Sequence, residues 1–106
     1  MKKLGKTVVF YLPTADNNGE ELSGENAKIK NKLLKTFEGV TEYGSARGIW
    51  KDGNGPDAKI YHDDLTLIEV SGDKTFEEIE ALAIQIRETL RQKALYFKID
   101  GAAYLA

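Results

Sequence analysis

The feature that most constrains this chain is the order in which its hydrophobic period changes. Lys6 to Leu12 (KTVVFYL) is β-branched and aromatic and ends at Pro13, which predicts a first strand. Ile29, Leu33 and Phe37, with Leu34 beside them, recur at helical spacing. They predict a helix from about Glu25 to Glu38, capped by Ser23 and closed at Gly39. Val40 to Trp50 and Lys59 to Val70 then read as strands joined through the turn-forming Asp52-Gly53-Asn54-Gly55-Pro56-Asp57. In the first of these, Gly44 and Gly48 signal a bulge or a close backbone approach.

A second helix follows. Thr75 and Glu78 form a capping box, and Phe76, Ile79, Leu82, Ala83, Ile86 and Leu90 share one stripe. Leu95 to Asp100 returns to strict alternation. The order β-α-β-β-α-β predicts a single α+β domain over residues 1–106, a ferredoxin-like sandwich. Its four-stranded antiparallel sheet has two helices on one face, with the first and third strands central. The apolar tail Gly101 to Ala106 is expected to dock on the domain or on a partner.

Composition narrows the chemistry. The 106 residues are 42% apolar, enough for one core and too few for two ordinary domains. Fifteen basic and seventeen acidic side chains leave a net charge of −2, so there is no overall positive field for nucleic acid or an anionic membrane. Cysteine is absent, which removes disulfides, thiolate nucleophiles and Cys-ligated metals. No segment approaches the roughly 18 apolar residues of a membrane span, and Val8 to Leu12 is too short for a signal sequence. A cytoplasmic protein without cofactor, membrane or nucleic-acid partner is expected.

Strand alternation supplies the functional surface. If Val8, Phe10 and Leu12 face the helices together with Leu95, Phe97 and Ile99, then Val9, Tyr11 and Tyr96 face the other way. The same reasoning puts Tyr43 and Arg47 on one side of the second strand. An aromatic sheet face left uncovered marks an association or ligand surface. A homodimer formed through this sheet, or cover by the tail, is the plainer expectation, and a small-molecule site the sharper one.

His62 is the only histidine and adjoins Asp63 and Asp64. A general base or metal ligand fits those residue types, yet neighbours along a strand point to opposite faces, so His62 and Asp63 do not converge. A cross-strand pair between Arg47 and a carboxylate is the structural alternative. Asp16-Asn17-Asn18-Gly19 lacks the alternating ligands and the terminal glutamate of a calcium loop and reads as a turn. Gly53-Asn54-Gly55 completes neither a dinucleotide fingerprint nor a phosphate loop. Lys28, Lys30, Lys32 and Lys35 read as a solvated helix face.

Phe37-Glu38-Gly39-Val40-Thr41-Glu42-Tyr43, followed by Gly48-Ile49-Trp50-Lys51-Asp52-Gly53, resembles a pattern in small uncharacterised bacterial proteins. Leu12-Pro13, Asp63-Asp64, Glu69-Val70 and Arg91-Gln92 fall where that pattern places them, so the resemblance covers most of the chain. Glu38 stands where the pattern has glycine. The resemblance implies a ferredoxin-like fold and carries no activity.

The residues thus predict a homodimeric binding or interaction module working through the open sheet. The alternative is a dimeric α/β-barrel enzyme acting on a small aromatic molecule without cofactor. Tyr11, Tyr43, Arg47, Trp50, His62 and Tyr96 are the candidate site residues, with His62 as the base in the enzyme reading.

Overall fold

The computed structural model describes residues 1–106. Its elements in chain order are β1 (Lys6–Pro13), α1 (Ser23–Thr36), β2 (Gly39–Asp52), β3 (Lys59–Gly72), α2 (Phe76–Thr89), β4 (Tyr96–Ile99) and β5 (Ala102–Leu105). All strands belong to one sheet, ordered β2-β3-β1-β4-β5, and each neighbouring pair is antiparallel.

The sheet therefore has five strands where four were expected. Asp100 and Gly101 explain the fifth, because both take positive φ (47° and 86°). An Asp-Gly pair in that conformation makes a two-residue hairpin turn, and it returns the tail along β4. Leu105 lies opposite Tyr96, and Leu95 and Ala106 exchange backbone hydrogen bonds of 3.2 and 2.9 Å. The tail docks as an edge strand and leaves the sheet's faces as they were.

Alternation in β1 sends Val8, Phe10 and Leu12 into a core in which none of the three retains any exposure. Ile29 and Leu33 from α1 and Ile79, Leu82, Ala83 and Ile86 from α2 join them, with Ile68, Val70, Phe97 and Ile99, in one cluster of 17 residues. Each such side chain contributes about 1.5–3 kcal/mol of transfer free energy, so this face of the sheet carries most of the stability.

The second helix matches its sequence closely. Thr75 Oγ1 accepts from the Glu78 amide, and the Glu78 carboxylate accepts from the Thr75 amide, both at 3.1 Å. Hydrogen bonds from Thr75 hold the Glu78 carboxyl below the usual carboxylate range.

The first helix starts two residues earlier than expected, and Ser23 does not cap it. Leu22 occupies the cap position with no side-chain hydrogen bond. Its side chain is fully buried and its amide donates to Thr14 O at 2.9 Å, so core docking fixes the helix start. At the other end Phe37 is already extended, and Gly39 opens β2 in place of closing the helix. Leu34, placed beside the apolar stripe, is 62% exposed.

The β2–β3 hairpin is the element that departs from a compact outline. Both strands run 14 residues, well beyond the end of β1, and the molecule measures 51 × 29 × 23 Å. The ladder shifts between Tyr43 and Ser45, which places the bulge at Gly44. Beyond it the ribbon from Arg47 to Asp52 and from Lys59 to Asp64 has no third strand beside it.

Candidate ligand site on the open sheet face

The uncovered face is built by register. Opposite Val9 stands Glu69 on one side and Lys98 on the other, and Tyr11 pairs with Leu67. On β2 the same face carries Thr41 and Tyr43 before the bulge, and Ala46, Gly48 and Trp50 after it.

Tyr11, Trp50 and Tyr96 come together here. Tyr11 meets Tyr96 edge to face with ring centroids 4.8 Å apart, and Trp50 leans on Tyr96 at 5.6 Å. Gly48 is the local reason. It precedes Trp50 by two residues and so shares its side of the ribbon, and a Cβ there would stand 2.8 Å from the indole Nε1 and 3.0 Å from Leu65 Cδ1. The missing side chain is the space into which the indole folds back over the sheet.

These rings, with Pro13, Asp63 and Leu65, line a notch of about 40 Å³. That is far below the roughly 300 Å³ at which pockets begin to enclose small ligands. One copy of the chain thus supplies a surface.

The bulge redistributes the remaining candidates. Tyr43 stays on the open face, where its hydroxyl donates to Glu69 Oε1 at 3.2 Å, and that carboxylate pushes the phenol above its usual pKa. Arg47, expected beside Tyr43, turns to the reverse side because the extra residue at Gly44 flips the alternation. It pairs there with Asp64 at 3.9 Å, and both side chains are largely exposed. His62 stands opposite Ile49 on the same reverse side, so it does not join Tyr11, Trp50 and Tyr96.

Asp63 and Asp64 follow the alternation, Asp63 facing the notch and Asp64 facing Arg47. No three His, Asp or Glu side chains converge as a metal site. Asp16 to Gly19 forms a turn in which Asp16 Oδ1 accepts from the Asn18 and Glu20 amides, each at 2.9 Å.

The charge on the open face is mixed. Glu69 and Asp63 contribute carboxylates, and the Lys98 ammonium lies 6.0 Å from the centre of the Tyr11 ring. Glu69 was not weighed as a site residue, and Asp63 was weighed only beside His62 and Asp64. Their signal was a charge at the open-face positions of an otherwise apolar strand, and it becomes readable only once the register is known.

The fold and site define an α+β protein with an uncovered aromatic sheet face. No family model and no curated protein matches the chain. Among solved structures it is similar to a phage SAM lyase in complex with S-methyl-5′-thioadenosine, with a TM-score of 0.70 and 12% identity over all of this chain and 92% of that one. The apo state of a phage SAM lyase is similar with a TM-score of 0.60 and 13% identity, over all of this chain and 94% of that one. At these identities the likeness is one of fold.

Proposed function

We propose that this protein is an enzyme of the SAM-lyase kind, which binds S-adenosylmethionine on the open sheet face and releases S-methyl-5′-thioadenosine. The observation that carries the reading is the placement of Tyr11, Trp50 and Tyr96 beside the Asp63 carboxylate on the one face that no helix covers. Aromatic faces stack on adenine and attract a sulfonium cation, and a carboxylate nearby favours the same positive charge. The fold neighbours support this choice of ligand over other planar molecules.

The chemistry asks little of acid–base groups. The bond from sulfur to Cγ breaks with both electrons going to sulfur, so the leaving group is a neutral thioether and needs no proton. Without water as nucleophile, the substrate's own carboxylate oxygen closes on Cγ and forms a five-membered lactone. The protein's part is to hold the chain folded for that attack and to keep water out. His62 has no proton to move in this scheme, which suits its place on the reverse of the ribbon.

The notch in one chain is too small to exclude water. A second copy laid over the same face completes the site, so self-association belongs to this reading. The arrangement is a ferredoxin-like sandwich with β5 added at its edge. Within the two expectations drawn from the residues, this stands nearer the cofactor-independent enzyme than the plain interaction module.

The test is to incubate the purified chain with S-adenosylmethionine and separate the products by chromatography. S-methyl-5′-thioadenosine should accumulate with the wild type and with His62→Ala, and fall sharply with Tyr96→Ala. Absence of product from the wild type would sink the lyase reading.

A further inference from the structure

The two edges of the sheet are finished differently. At one edge β2 carries the bulge at Gly44 and the charged side chains of Glu42, Arg47 and Lys51. Bulges and charges of this kind keep a strand edge from pairing with a neighbouring molecule. At the other edge β5 has neither, since Ala102-Ala103-Tyr104-Leu105 holds no charge, no proline and no register shift. All four of its residues are exposed.

Hydrogen-bond alternation decides which groups this edge leaves free. Leu95 and Ala106 exchange both backbone hydrogen bonds. Bonded and non-bonded pairs alternate along an antiparallel ladder, so Phe97 with Tyr104 and Ile99 with Ala102 are the next bonded pairs. Ala103 and Leu105 therefore turn their N–H and C=O groups away from β4, to the side on which the sheet has no further strand.

The side chains end as abruptly. Phe10 stacks on Phe97 at 6.0 Å and Phe97 on Tyr104 at 5.6 Å, each pair with planes 26° apart. The three rings form a row across β1, β4 and β5 on the helix side of the sheet. Phe10 is wholly enclosed and Phe97 nearly so, whereas Tyr104 is 41% exposed. The row stops at the edge with its last ring half open.

We propose that β5 pairs with β5 of a second copy, antiparallel about a two-fold axis, and joins the two five-stranded sheets into one of ten strands. Setting Ala103 opposite Leu105 of the second copy lets both outward-facing residues of each strand exchange N–H and C=O bonds. The same register brings Tyr104 against Tyr104 of the second copy as a non-bonded pair, the kind whose side chains approach most closely. The ring row then runs from one core into the other. A foreign strand would satisfy the backbone alone, while a second copy also brings the matching ring.

The contact goes beyond the open-face reading. It uses the sheet's edge, leaves the open face of each copy free and sets two such faces side by side. It is small beside the roughly 800 Å² per partner of a standard stable interface, so the dimer forms reversibly with concentration.

Amide hydrogen exchange of the whole chain, followed by NMR at micromolar and at millimolar concentration, tests it. The Ala103 and Leu105 amides should slow roughly tenfold or more at the higher concentration, while the outer edge of β2 keeps its rate. Ala103→Pro removes an outward donor and spares the bonds to β4, so it should abolish the slowing at Leu105 with the thermal midpoint of the dilute chain unchanged. Leu105→Lys, a second variant that charges the edge, should weaken the slowing at Ala103 about tenfold. Tyr11→Glu, on the open face, should leave both effects in place. No readout involves S-adenosylmethionine, so failure here and failure of the lyase reading are distinguishable. Exchange at Ala103 and Leu105 that is independent of concentration, or slowing that survives in both edge variants, would overturn the proposal.

Discussion

The two faces of the sheet are made from the same strands and do different work. On the helix side Val8, Phe10, Ile68 and Val70 keep at most 1% of their surface. On the other side Val9, Tyr11, Leu67 and Tyr96 are half-buried, with no element laid over them. One face is saturated with partners inside the chain. The other carries the rings of Tyr11, Tyr43, Trp50 and Tyr96 and the carboxylates of Asp63 and Glu69, with no helix laid over them. Most of the core stability resides in the first face.

Substitutions in neighbouring positions of β1 are the sharpest way to break that contrast. Phe10→Ala should cost about 3–5 kcal/mol, since the ring is fully enclosed and leaves a cavity. Tyr11→Ala should cost about 1 kcal/mol, chiefly the edge-to-face contact with Tyr96. Denaturant titration of both variants measures the difference. Equal losses would mean that the open face is a second core.

Next in size is Trp50→Ala, which should weaken S-methyl-5′-thioadenosine binding by about 1–3 kcal/mol, the usual contribution of one base stacked on an aromatic ring. Because the ribbon beyond Gly44 stands outside the core, its denaturation midpoint should scarcely move. Gly48→Ala should have a weaker effect of the same kind, because its methyl displaces the indole that a Cβ would approach to 2.8 Å. Calorimetric titration separates the two.

Thr75→Ala should cost about 1 kcal/mol by removing one arm of the capping box. It touches neither face and so serves as the control.

The smallest expected effect is pH-dependent. The Asp16 side chain is 5% exposed and takes the Arg91 guanidinium at 3.2 Å. Burial pushes its carboxyl up, but the Glu20 and Asn18 amides and Arg91 together hold it below the usual range. A depressed folded pKa stabilises above the unfolded value, about 4, and the contribution is lost as pH falls through the folded pKa. Asp16→Asn keeps the acceptor for both amides and removes the charge. Its midpoint should fall below that of the wild type at neutral pH and converge with it in acid.

Much of this was legible in the residues. The strand and helix order, the capping box at Thr75 and the sharing of the open face by Val9, Tyr11 and Tyr96 follow from period alone. Asp100-Gly101 was an equally local signal for a hairpin, and reading the tail as a docked segment stopped short of it. Gly44 was harder. Two glycines competed for the bulge, and the choice between them decides whether Arg47 faces Tyr43 or Asp64. Pairing with β3 settles that choice, and no local propensity contains it.

Gly48 belongs to the same lesson. Its role is to make room for a ring two residues away, which only the packed structure displays. Asn26 reads in the sequence as one more polar helix residue. Its burial against Pro13 comes from the docking of Leu22, a tertiary event.

Trp50 is the only tryptophan in the chain, so its fluorescence reports on the open face without any label. Titration of the wild type with S-methyl-5′-thioadenosine should change the emission saturably, and Tyr96→Ala should weaken that response. An emission spectrum that stays constant throughout the titration would contradict the claim that the ligand sits on this face.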